Sequence, residues 1–245
     1  MDGLILGLDL CDGYTQLSCW GREENWTLPT AVCRQKDGGW LIGETAYATA
    51  LAGEGSVTDK LIRLVLQDGS DTIYGVKYRA VDLLKCFLEQ VFSLPLEEGK
   101  TVDGSMVKEL VITVPKMKAR LMDGLMYCAD QLKIPRSHVH VISHTEAFMY
   151  FVLSQTRDVW SNHVGLFDLS EKCLCYYEMK VQKNMGQVTA VAEREKLEEG
   201  FALDILSAPQ GVKLADKILC SCGERLLEKK LFSSVFLTGK GFETQ

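Results

Sequence analysis

Two stretches of this chain follow one plan. Leu4-Ile5-Leu6-Gly7-Leu8-Asp9 is a short apolar run that ends in an acid. Val164-Gly165-Leu166-Phe167-Asp168 is a second, with its acid 159 residues further on. A turn-like segment follows each acid, Leu10-Cys11-Asp12-Gly13 in one case and Leu169-Ser170-Glu171-Lys172 in the other. An alternating run comes next, Thr15 to Trp20 or Leu174 to Val181. Apolar runs of this length read as buried strands, and alternating runs as half-buried ones. Repetition of the pattern predicts two copies of one αβ unit. Two such units facing each other would bring both acids to one cleft, a common place for a ligand.

The first turn carries chemistry of its own. Asp9 is expected to project from the end of a strand. Gly13 is expected to take a positive φ and to let a ligand approach the backbone. A carboxylate beside bare N–H groups suits a metal-bound phosphate. Asp-Gly also closes ordinary hairpins, and this stretch alone does not separate the two readings.

Strands and helices alternate along the rest of the chain. Strands are expected over 26–33 and 40–42, and an Ala-rich helix over 43–51. Gly53-Glu54-Gly55 breaks it, and 59–67 reads as a short helix or a buried strand. Ala80 to Phe92 carries an amphipathic stripe. Residues 109–114 form a strand, and Pro115 takes the first turn of a helix that reaches about Leu132. Residues 139–142 form another strand, and Ser143 with Glu146 resembles a capping box for the helix that follows. After the second copy, 187–193 is a strand, 196–206 and 212–230 are helices, and 235–238 is a strand ended by Gly239-Lys240-Gly241. This alternation belongs to the α/β class.

With 245 residues, 47% of them hydrophobic, the chain can bury a sizeable core. A net charge of −6 and a pI of about 5.3 leave no basic footprint for nucleic acid or an anionic membrane surface. No apolar run approaches the roughly 18–20 residues of a membrane span. Nine cysteines, an odd number with no leader segment before them, predict reduced thiols and a cytoplasmic protein. Neither Cys173 and Cys175 nor Cys220 and Cys222 has the spacing of a zinc knuckle. His138, His140 and His144 have no acid or cysteine partner near them in the sequence, so no metal site is expected there.

The stations of the chain, in order, resemble the ATPase superfamily of actin, the heat-shock chaperones and the sugar kinases. Leu6-Gly7-Leu8-Asp9-Leu10 is similar to its first phosphate loop, and Phe167-Asp168-Leu169-Ser170 to its second. Leu28-Pro29-Thr30-Ala31-Val32, Ile42-Gly43-Glu44-Thr45-Ala46 and Ile112-Thr113-Val114-Pro115 resemble chaperone stations. Val141 to Ala147 resembles the segment before the interdomain helix. Glu198-Glu199-Gly200-Phe201 resembles a glycine-containing helix start that touches the nucleotide. Leu237-Thr238-Gly239-Lys240-Gly241 resembles the adenosine loop. The set spans nearly the whole chain and is most similar to a bacterial, chaperone-like branch of actin-like proteins.

The resemblance implies an α/β fold of two RNase H-like lobes. They would lie at 1–157, with a small inserted subdomain at about 53–105, and at 158–245. It implies ATP and Mg²⁺ between the lobes, with Asp9 and Asp168 at the metal and in catalysis. His144 would orient the attacking water, or would only start its helix. Gly13, Tyr14 and Thr15 would meet phosphate, and Gly239 and Gly241 would admit adenosine. Asp12, Ser170, Glu199, Gly200 and Lys240 complete the expected nucleotide-binding set. A protein partner or self-association fits an actin-like protein; nucleic acid and membrane do not.

Two departures qualify these expectations. The superfamily's second loop reads Asp-x-Gly, whereas Asp168 to Lys172 contains no glycine and Glu171 brings negative charge. Only about 71 residues separate Asp168 from Gly239, so the second lobe is expected to be reduced and, with the sequence ending at Gln245, is expected to be C-terminally incomplete. The chain therefore reads as a nucleotide-binding protein with slow or no hydrolysis, or as a scaffold that keeps the fold without nucleotide. A small-molecule kinase is the weakest of the three, because the substrate subdomain would be too small.

Overall fold

The computed structural model describes residues 3–97, 99–170, 173–184, 187–199, 208–228, 230–239 and 242. It is a mixed α/β fold with four sheets and six helices among those residues. Chain contacts group into two compact units, 1–144 and 145–245.

The first unit holds, in chain order, β1 (Leu4–Leu10), β2 (Tyr14–Cys19), β3 (Asn25–Pro29), β4 (Ala31–Gln35), β5 (Trp40–Ile42), α1 (Gly43–Leu51), β6 (Gly55–Asp59) and α2 (Leu61–Leu66). It continues with β7 (Ser70–Ile73), β8 (Val76–Arg79), α3 (Ala80–Val91), β9 (Val107–Val114), α4 (Ala119–Gln131) and β10 (Val139–Ser143). The main sheet has the order β10-β9-β1-β2-β3. Strands β1, β9 and β10 run parallel, and β1, β2 and β3 form an antiparallel meander. Alternation assigns the faces: Leu6, Leu8 and Leu10 are buried, while Gly7 and Asp9 lie on the other side. The buried leucines pack with Leu83, Leu84, Phe87 and Leu88 of α3 and with Leu121 and Leu125 of α4 in one core.

The chain leaves this sheet at Thr30 for a smaller one, β5-β4-β6. The β7–β8 hairpin docks beside it, with the Trp40 and Tyr78 rings edge to face at 5.4 Å and Arg34 stacked over Trp40.

The second unit begins within α5 (His144–Ser154), whose first residue closes the first unit. It holds β11 (His163–Ser170), β12 (Cys173–Asn184), β13 (Gln187–Glu199), α6 (Pro209–Leu227) and β14 (Phe232–Thr238). Its sheet has the order β13-β12-β11-β14, with β11 to β13 antiparallel and β14 parallel to β11. That plan repeats β3-β2-β1-β9 of the first unit, strand for strand and direction for direction. Phe167, Leu169, Leu174 and Tyr176 pack on one face with Ala215 and Leu226 of α6. Val164, Cys175, Tyr177 and Met179 pack on the other with Phe148 and Val152 of α5.

Several local expectations need correction. Residues 55–59 form a strand where only a break was expected, because they pair antiparallel with β4. Pro115 does not open a helix: α4 starts at Ala119, after the extended Lys118. The run 196–199 is not the start of a helix. It extends β13, with Lys196, Glu198 and Glu199 paired to Cys175, Leu174 and Cys173. Glu and Lys favour helix in isolation, but cross-strand pairing overrides a weak propensity. The rest of the expected 196–206 helix lies outside the described residues.

Candidate functional site

The three parallel strands of the first sheet end at one edge, where open α/β sheets bind ligands. Asp9 is the penultimate residue of β1 and pairs with Thr113 of β9. Cys11 follows β1, two residues on, and so returns to the side of Asp9. His144 follows Ser143, the last residue of β10. Parallel pairing across β1, β9 and β10 brings these three side chains together.

His144 Nε2 lies 2.7 Å from Asp9 Oδ1 and 3.8 Å from Cys11 Sγ. Cys11 Sγ lies 4.0 Å from the same Asp9 oxygen. The Thr113 hydroxyl donates to Asp9 Oδ1 at 2.8 Å. The three ligand-type atoms lie within 4.8 Å of one another. The Asp9 side chain is 45% exposed and that of His144 only 17%, so the cluster opens to solvent on the carboxylate side. The arrangement is not a nucleophile relay. A relay imidazole bonds its nucleophile through one nitrogen and its carboxylate through the other, whereas here thiol and carboxylate both face Nε2.

This cluster corrects the expectation that the histidines lack acid and cysteine partners. His144 finds both in space, from residues 135 and 133 positions away. His140 Nε2 also meets Glu109 at 2.9 Å, and His138 Nδ1 lies 3.1 Å from the Val107 carbonyl, just before the strand expected to carry it.

The hairpin around the cluster is tied down from inside. The Thr30 hydroxyl donates to the Cys11 carbonyl at 2.7 Å. Its single proton is thereby used, so the Thr15 hydroxyl donates to Thr30 Oγ1, also at 2.7 Å. Thr15 is 1% exposed, and its side chain serves this chain of hydrogen bonds rather than an open phosphate loop. Asp12 turns to α2. Lys60, the residue before that helix, is in the left-handed region and provides no side-chain cap. Asp12 Oδ1 instead accepts from the Arg63 N–H at 3.1 Å, and Arg63 Nε lies 3.6 Å from Oδ2. Gly13 is exposed and Tyr14 half-buried. Gly13 is not among the glycines with positive φ, so the turn closes without the freedom expected of it.

In the second unit, Asp168 is half-buried and sits inside β11 rather than at its end, paired with Cys175 and with Thr238. Ser170 is still in the strand and pairs with Cys173. Glu199 is the last residue of β13, not the opening of a helix. Gly239 follows β14 with φ +96, a conformation that favours glycine. Gly200, Lys240 and Gly241 lie outside the described residues.

Other thiols and phenols are perturbed structurally. Burial pushes the Cys128 thiol up to about 12 and also raises Cys86, so neither is a ready nucleophile. Burial, followed by the charge and hydrogen bond of Asp59, pushes Tyr47 up to about 12.

Fold and site together define a mixed α/β protein with a carboxylate–thiol–imidazole cluster at the carboxyl edge of one sheet. Residues 13–245 match the model of the C-terminal part of DUF5716, a family of unknown function, and the chain belongs to that family. No curated protein matches the chain.

Proposed function

We propose that the chain is an actin-like nucleotide-binding protein of two RNase H-like lobes that takes Mg²⁺-ATP, with Asp9 and Asp168 serving the metal. One observation carries this reading: an inner strand of each main sheet bears an acid opposite a threonine of its parallel neighbour. Asp9 pairs with Thr113 and Asp168 with Thr238, within sheets of the same order and sense. The positive φ of Gly239 fits close backbone approach by an adenosine. Hydrolysis is slow or absent in this reading. His144 Nε2 is bonded to Asp9 and must release it before that nitrogen can orient a water.

A second reading is a scaffold that keeps the fold without nucleotide, and the second hairpin favours it. Ser170 pairs with Cys173, so only Glu171 and Lys172 connect the strands. In the first hairpin, four residues separate the paired Leu10 and Thr15. A two-residue connection with an acid in it gives phosphates little bare backbone. Calorimetry with Mg²⁺-ATP decides between the readings. The first expects a Kd below roughly 100 μM, lost in folded Asp9→Ala and Asp168→Asn variants. Absence of heat in the unaltered chain assigns it to the scaffold reading.

A further inference from the structure

We propose that Asp9, Cys11 and His144 form a binding site for a transition-metal ion of the Zn²⁺ class, with one position left open. This inference does not rest on nucleotide binding, and it calls for a different ion. Thiolate and imidazole are ligands for borderline and soft metals, while Mg²⁺ takes oxygen. Three protein ligands with an open fourth position is the usual form of an accessible zinc site.

The distances suit such an ion. With zinc–ligand bonds of about 2.0 to 2.3 Å, the edges of a tetrahedron run about 3.3 to 3.6 Å. The observed separations are 2.7, 3.8 and 4.0 Å. Small rotations of the Asp9 and His144 side chains convert one set into the other, replacing the imidazole–carboxylate bond by two bonds to metal. The ligands are already oriented. Thr113 holds the Asp9 carboxylate, and Thr30 holds the Cys11 carbonyl. Partners of this kind fix ligand geometry and raise affinity. The exposed side of Asp9 leaves room for a water as fourth ligand. On binding, Cys11 gives its thiol proton to solvent and His144 ligates as the neutral imidazole.

The test titrates the full chain with Co²⁺ and Zn²⁺ in the absence of nucleotide. Co²⁺ is expected to give one thiolate charge-transfer band in the near ultraviolet and the intense visible bands of a tetrahedral site, at one ion per chain. Zn²⁺ is expected to displace it with release of protons. The charge-transfer band should vanish in Cys11→Ser and persist in a variant of the exposed Cys220, Cys220→Ser. His144→Gln and Asp9→Asn should each weaken binding at least roughly 10-fold. His144→Gln also keeps the test open if Cys11→Ser fails to fold. Asp168→Asn should bind Zn²⁺ like the unaltered chain even if it loses Mg²⁺-ATP, which separates failure of this site from failure of the nucleotide reading. A thiolate band that survives in folded Cys11→Ser, unaltered affinity in His144→Gln, or no binding tighter than roughly 100 μM overturns the proposal.

Discussion

Strand β1 of the first unit and strand β12 of the second are both inner strands of their sheets, and their two faces are covered differently. β1 alternates, with leucines buried and Asp9 on the side away from the core. β12 buries six residues in succession, Leu174 to Met179, with α6 on one face and α5 on the other. A strand covered on both faces normally reads as an unbroken apolar run, yet this one carries Glu178. The carboxylate is 5% exposed and surrounded by donors. Lys230 Nζ lies at 2.6 Å, His163 Nδ1 at 3.0 Å and the Tyr176 hydroxyl at 3.4 Å. An acid on a half-open face keeps an exposed oxygen for chemistry. An acid on a doubly covered strand survives only when hydrogen-bond donors surround it, and it then acts as a clamp between strands.

The largest effect expected from this contrast is at that clamp. Glu178→Ala leaves Lys230 and His163 facing a void, and should cost about 3 kcal/mol in urea denaturation, at the low end for a broken buried pair because Lys230 is partly exposed. Glu178→Gln keeps an acceptor and should cost less. If Glu178→Ala unfolds no more easily than the parent chain, the buried carboxylate is not a clamp and the contrast fails.

The counterpart in the first unit is Thr30. Thr30→Val keeps the shape but deprives the Thr15 hydroxyl and the Cys11 carbonyl of their partner, at a cost of about 2 kcal/mol. Thr15→Val combined with Thr30→Val removes the stranded Thr15 hydroxyl and should recover part of the loss. Equal costs for Thr30→Val and the double variant would mean that loss of Thr30 does not strand the Thr15 hydroxyl, and would weaken the view of a preset hairpin.

The skeleton of both sheets was legible because its signals are local. Leu6, Leu8 and Leu10 alternate within one strand, and the amphipathic stripe of α3 lies within twelve residues. The site was legible only in part. Asp9 stands out as an acid at the end of an apolar run, but its partner His144 is 135 positions away and reaches it only through two parallel pairings. No spacing rule encodes a contact of that kind. Thr15, which the resemblance set at phosphate, is buried and hydrogen-bonded to Thr30, a contact between strands that no local pattern encodes. The charged end of β13 was misread because pairing with a neighbouring strand, not its own composition, decides its state.

The smallest effect concerns acids at the surface, where solvent does most of the work. Asp82, near the start of α3, accepts from Arg79 Nε and Nη2 at 2.7 and 2.8 Å and from the Tyr127 hydroxyl at 2.8 Å. The hydrogen bonds from Arg79 hold its carboxyl below the ordinary value of 3.8, against a smaller opposing effect of burial, and Tyr127 adds to the lowering. A depressed folded pKa favours the folded state while the group is ionised. The contribution is therefore complete above the unfolded value and disappears as pH falls through the lower folded one. Asp82→Asn should cost only about 0.5 kcal/mol at pH 7, since the side chain is 38% exposed and screened. The difference between Asp82→Asn and the parent chain should shrink to nothing as denaturation is repeated from pH 5 toward pH 2. A difference that stays constant across that range would show that Asp82 acts through packing rather than charge, and would remove the distinction drawn between screened surface acids and the buried Glu178.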